Sequence, residues 1–101
     1  MNLETLTAVD IEGMSYNELI GVVRETNRPP GGLRSIARIA QHTFLKTGQK
    51  VLDIGTSTGV TAIELARLTG ATVHGIDINP LSLEEAERRA AVYGVEALTH
   101  F

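Results

Sequence analysis

The stretch Val51-Leu52-Asp53-Ile54-Gly55-Thr56-Ser57-Thr58-Gly59 confines this chain to few folds. A short apolar run carrying one acid reads as a buried strand, because strands of a parallel sheet are covered on both faces and show little alternation. The glycines and small hydroxyl residues that follow make a tight loop. Val60, Ile63, Leu65, Ala66 and Leu68 then recur at helical spacing, and Gly70 supplies the stop. "ATVHGIDI" reads as a second strand and "NPLSLEEAERRAAVYG" as a second crossover helix, with a Ser82–Glu85 capping box and Gly94 as its stop. "VEALTHF" opens a third strand. Helical crossovers of this length join parallel strands, so the order from Lys50 onward predicts part of a doubly wound α/β sheet.

Two helices are expected upstream. Ser15 and Glu18 have capping-box spacing, and Leu19, Ile20, Val22 and Val23 follow on one side, predicting a helix to about Glu25. Asn27–Gly32, "NRPPGG", breaks the chain. Leu33, Ile36, Ala37, Ile39, Ala40 and Phe44 predict a helix ending near Lys46. Residues 1–14 read as an irregular arm. The domain expectation is an arm, helix and Pro/Gly linker over 1–32 and a partial ligand-binding domain over 33–101. Three parallel strands leave a sheet edge unpaired. The chain is therefore expected to be the N-terminal part of a larger protein, or to cover that edge with a second copy as a homo-oligomer.

Composition narrows the function. At 101 residues one domain is the ceiling, and the net charge of -3, with scattered basic residues, predicts neither a nucleic-acid nor a membrane partner. The absence of cysteine removes disulfides, thiolate metal sites and a cysteine nucleophile, and fits a reducing, cytoplasmic setting. "MNLETLTAVD" lacks the basic cluster and apolar stretch of a secretory signal. No His/Asp/Glu grouping has metal-ligand spacing, so no metal is expected.

Ligands of doubly wound sheets bind outside the carboxyl ends of the strands, where the Gly55–Gly59 loop opens a helix. Asp77 ends the next strand about 20 residues later, a position suited to ribose hydroxyls. Its alternative role is an Asx-turn within Asp77-Ile78-Asn79-Pro80. Asp53 would repel a pyrophosphate. It favours an adenosyl ligand with a cationic or zwitterionic tail over a dinucleotide.

"VLDIGTSTG" followed by "HGIDINP" resembles the first two motifs of class I S-adenosylmethionine-dependent methyltransferases, with a Rossmann-like sheet. The resemblance implies S-adenosylmethionine as cofactor. It implies Asp53, Gly55, Thr56, Ser57 and Gly59 around its methionine part, Asp77 on the ribose, and Ile78 and Asn79 near the adenine. Ser57 departs from the family's middle glycine. "PPGGLRSIARIA" is similar to a segment that lies over the cofactor in small-molecule methyltransferases, which adds Gly31 and Gly32. The implied acceptor is a small molecule. No catalytic residue is identified, and the chain alone is expected to lack turnover.

Three other readings compete. Gly-x-Ser-x-Gly also fits a hydrolase nucleophile elbow, but only His74 and His100 follow Ser57 as bases and no oxyanion segment precedes it. A nicotinamide-dinucleotide domain would need glycine at Ser57 and Val60. The third is a truncated nucleoside-binding domain without activity. Elsewhere, His42 is expected to be exposed and Arg34 and Arg38 to form a solvated stripe. Glu84, Glu85, Glu87, Arg88 and Arg89 read as a solvated helix face with i,i+3 and i,i+4 pairs. Tyr16, Phe44 and Tyr93 read as core or edge packing.

Overall fold

The computed structural model describes residues 7–16, 18–19 and 29–101. Strands β1 (Lys50–Ile54), β2 (Thr72–Ile76) and β3 (Thr99–His100) form a parallel sheet in the order β1-β2-β3. Lys50 pairs with Thr72 and Ile54 with Ile76, so the tips of β1 and β2 finish level. The β2–β3 pairing is short, Val73 opposite Thr99 and His74 opposite His100. The helices are α1 (Ala8–Glu12), α2 (Gly32–His42), α3 (Val60–Thr69) and α4 (Pro80–Val92), the last two being the crossovers.

The expected α/β architecture is present, and successive strand residues point to opposite faces. Val51, Asp53, Val73, Gly75 and Thr99 share the face covered by helices. There Val73 packs with Ile36 of α2, with Ala62, Ile63, Leu65 and Ala66 of α3, and with Ala90 and Val95, while Val51, Leu98 and Phe101 close the margins. The other face carries Leu52, Ile54, His74, Ile76 and His100, all exposed. The rings of His74 and His100 meet there, 4.7 Å between centroids and tilted by 33°.

Several boundaries differ from the expectations. The presumed arm contains α1, started by a reciprocal box in which Thr7 caps Asp10 and Asp10 accepts from the Thr7 amide. The Ser15–Glu18 box forms in both directions. The expected continuation to Glu25 lies outside the described residues apart from Glu18 and Leu19. Helix α2 stops at His42, because Phe44 turns to φ 52° and lets the Leu45 amide reach back to the Ala40 carbonyl at 3.3 Å. That is the Schellman stop, built on a residue other than glycine. No Ser82–Glu85 box starts α4; Asn79 is the N-cap, accepting from the Leu81 amide, and Pro80 fills the first turn. Ser82 therefore sits inside the helix. Strand β3 is two residues long, since Val95–Leu98 form a turn closed by the Leu98 amide on the Val95 carbonyl. Tyr16, Phe44 and Tyr93 are all exposed, Phe44 at 83 %. The aromatic that packs is Phe101.

Candidate functional site

The level tips of β1 and β2 open into a cleft of about 700 Å³. Asp53, Gly55, Thr56, Ser57, Asp77 and Ile78 line it, so six of the ten residues named from sequence meet in one place. Gly31, Gly32, Gly59 and Asn79 do not line it. Pro29 and Pro30 do, placed by a turn in which the Gly32 amide donates to the Pro29 carbonyl at 2.9 Å. The Gly31–Gly32 pair thus forms the turn that leads from the cleft wall into α2. Asn79 is buried as the cap of α4, while Ile78 stands 94 % exposed at the cleft mouth.

The Gly55–Gly59 loop is held by its surroundings. The amides of Gly55 and Thr56 both donate to the Ile76 carbonyl, at 2.8 and 2.9 Å. The Ser57 amide donates to Asp77 Oδ2 at 2.9 Å, and the Thr56 hydroxyl donates to Asp53 Oδ2 at 2.8 Å. Ser57 sits at φ 51°, the left-handed region. This is the position where the resemblance calls for glycine, so serine carries a modest backbone strain there. Gly59 has a packing reason as well as a positive φ: a Cβ on it would lie 2.8 Å from Ala86 Cβ and 3.0 Å from the Phe101 ring.

Asp77 makes the turn weighed for it and also holds the glycine loop. Its Oδ1 accepts from the Asn79 amide at 2.9 Å, which is the Asx-turn, and its Oδ2 holds the loop. Each carboxylate oxygen has a further lone pair, so the turn leaves acceptor capacity facing the cleft. Asp53 is part-buried, and burial pushes its carboxyl above the usual range. The Thr56 hydroxyl opposes that shift, and the Asp77 charge reinforces it. Two carboxylates on one cleft create a field that rejects anions and favours a cation.

Sequence reading missed the residues behind the loop. Gly75, opposite Asp53 in the sheet, has no side chain where a Cβ would lie 2.5 Å from Thr56 Oγ1 and 2.7 Å from Phe101. That space admits the threonine that bonds Asp53. A glycine inside a strand pattern was the available signal. Glu85 and Arg89, expected on a solvated face, are each only 6 % exposed. Arg89 bonds Glu85 Oε1 at 3.0 Å and Thr58 Oγ1 at 2.9 Å, and Glu85 also takes a forked pair from Arg88. Burial raises the Glu85 carboxyl, but the two guanidiniums outweigh it and hold the group below the usual range. Glu84, Glu87 and Arg88 are exposed as expected, as are His42, Arg34 and Arg38. No histidine lines the cleft: His74 and His100 lie on the bare face of the sheet, away from the Ser57 loop. Among the described residues no cluster of three or more metal-binding side chains occurs, and no helix is long and apolar enough to cross a membrane.

Known proteins resemble this chain in sequence and fold. The ribosomal protein L11 methyltransferase of Thermus thermophilus is 43% identical over 61 residues, 60% of this chain and 23% of that protein. Methyltransferase GfsG of Streptomyces halstedii is 37% identical over 70 residues, 69% of this chain and 25% of that one. The chain thus spans about a quarter of the length of these curated relatives. A crystal structure of an S-adenosylmethionine-dependent methyltransferase from Thiobacillus denitrificans, in complex with S-adenosylhomocysteine, superposes with a TM-score of 0.76 at 28% identity, covering 87% of this chain and 36% of that one. A family model described as a methyltransferase domain matches residues 45–99, from just after α2 to the start of β3 and over half of the sequence. The chain belongs to this methyltransferase-domain family.

Proposed function

We propose that the chain carries the S-adenosylmethionine-binding part of a methyltransferase. The observation that carries the reading is the pair of carboxylates, Asp53 and Asp77, from adjacent strand tips on one cleft floored by small residues. A dinucleotide would bring a pyrophosphate against that pair; a sulfonium nucleoside with an amino-acid tail brings positive charge. The cofactor, when bound, supplies the methyl group, and the chain's residues orient it. Asp77 accepts from the ribose hydroxyls with the lone pairs its backbone partners leave. Asp53 faces the ammonium of the methionine part, directly or through water. Gly55, Thr56 and Ser57 admit ligand atoms to the backbone, and Ile78 covers one face of the adenine. Gly59, Gly31, Gly32 and Asn79 act by shaping these elements. The family match leaves the dinucleotide and serine-nucleophile alternatives without a finding in their favour.

The acceptor is proposed to be a small molecule, in a cytoplasmic setting and without nucleic acid. The acidic balance of the chain supports this. A protein acceptor is the second reading, favoured by the relative named for ribosomal protein L11. Association of two copies through the free sheet edge, and the lack of turnover by this chain alone, also belong to the proposal.

Calorimetric titration with S-adenosylhomocysteine tests the cofactor reading. Asp77→Ala is expected to weaken binding about 10- to 100-fold, the worth of a charge-assisted hydrogen bond, with Asp77→Asn intermediate. Binding of NAD in its place would overturn the reading.

A further inference from the structure

Helix α4 presents Ser82, Glu85, Ala86, Arg89 and Ala90 on its buried face. Ser82 of that stripe lines the cleft, and Ala86 and Arg89 pack against the Gly55–Gly59 loop. Gly59 lies against Ala86, and one turn further on Arg89 reaches Thr58. Thr58 is 1 % exposed, so its hydroxyl meets the guanidinium away from solvent. Glu85 grips Arg89 at Nε, which fixes the plane of the guanidinium and aims Nη1 at Thr58. Asp53 and Asp77 hold the loop on the cleft side through Thr56 and Ser57. Arg89 holds the next residue of the loop, Thr58, which also lines the cleft.

We infer that the Glu85–Arg89 pair is a positioning device for cofactor binding: through Thr58 it sets the Gly55–Gly59 loop in its ligand-ready shape before the ligand arrives. The inference rests on the proposed cofactor reading. A buried ion pair is a poor way to gain stability alone, because desolvation offsets most of the attraction. Its use here is geometric. A loop that makes several backbone contacts to a ligand binds more tightly when its conformation is already fixed. Arginine suits this role better than lysine, since only a planar fork bonds the carboxylate and the hydroxyl at fixed angles.

The test uses Thr58→Val, which keeps the shape and removes the hydroxyl, with Arg89→Lys and Arg89→Met. Two quantities are read at a temperature where each variant is folded: amide hydrogen exchange at Ser57, Thr58 and Gly59 without ligand, and affinity for S-adenosylhomocysteine. All three variants are expected to speed exchange in the loop and to weaken binding about tenfold, with Thr58→Val adding nothing to Arg89→Met in the double variant. Arg89→Lys, which keeps the charge, is expected to behave like Arg89→Met. Exchange unchanged in Thr58→Val overturns the inference, as does affinity within twofold of the wild type. If the wild type binds no S-adenosylhomocysteine while Thr58→Val still loosens the loop, the cofactor reading falls and the positioning of the loop stands. Should Arg89→Met fail to fold, Thr58→Val and Arg89→Lys decide the matter.

Discussion

On one face of the sheet Val73 is wholly buried beneath α2 and α3; on the other, Leu52 and Ile54 are 59 % and 75 % exposed. The strands carry apolar residues to both faces, yet only one is covered. Topology explains the difference. A crossover between parallel neighbours is right-handed, so strands laid down in the order β1-β2-β3 send each successive helix to the same side. Such a stretch builds one helical layer, however apolar its strands. Parallel sheets are ordinarily covered on both faces, and the bare face here holds Leu52, Ile54 and Ile76 beside the paired His74 and His100 rings.

The largest expected effect contrasts the faces directly. Val73→Ala should cost about 2–3 kcal/mol, combining lost burial of two methyl groups with the cavity left behind. Leu52→Thr, on the neighbouring strand but the bare face, should change stability by less than about 0.5 kcal/mol. Urea unfolding measures both. Equal costs would show that Leu52 is covered in solution.

The contrast between covered and open ground also applies to the two perturbed acids. Glu85 lies within the helix layer with cations on it, and its carboxyl is held low. Its contribution is present above the ordinary glutamate range and is lost as pH falls through the depressed folded value. Asp53, at the cleft end of the covered face, is held high. Its charge opposes folding at neutral pH, and that penalty fades as pH falls through the raised value toward the ordinary aspartate range. Thermal melts should therefore show Glu85→Gln lowering Tm at pH 7 and Asp53→Asn raising it by a few degrees, with the second difference shrinking toward pH 4. A lower Tm for Asp53→Asn at pH 7 would mean that its bond to Thr56 outweighs desolvation.

The sequence made the crossovers and the cleft readable because β1, the glycine loop and β2 obey local rules: apolar runs, a loop of small residues, acids at strand ends. Asp53 and Asp77 were found by their distance from glycines. Glu85 and Arg89 were not, although they fall on the same helical stripe as Ala86 and Ala90. Hydropathy periodicity sees charges as solvent-facing, and only the fold brings Thr58 to the guanidinium. Gly75 is hard to read from sequence for a related reason: its value lies in what Thr56 and Phe101 place there. The bare face was missed because a strand covered on one side and a strand covered on both have similar apolar content when the uncovered positions are leucine and isoleucine.

The smallest expected effect lies at the helix ends, where covered and bare ground meet. Helices α2 and α4 finish with the same hydrogen bond, Leu45 to Ala40 and Val95 to Ala90. In α4 the left-handed residue is Gly94, at φ 71°, and Val95 behind it is buried. In α2 it is Phe44, with a side chain largely in solvent. A side chain at positive φ costs roughly 1 kcal/mol, and an exposed ring returns little of it through packing. Glycine gives back part of the gain through its freer unfolded chain. Phe44→Gly is therefore expected to stabilise by about 0.5 kcal/mol, while Gly94→Ala should destabilise by about 1 kcal/mol. Both are within reach of paired denaturant curves. Loss of stability in Phe44→Gly would show that the ring is packed in solution, extending covered ground to a position that lies open here.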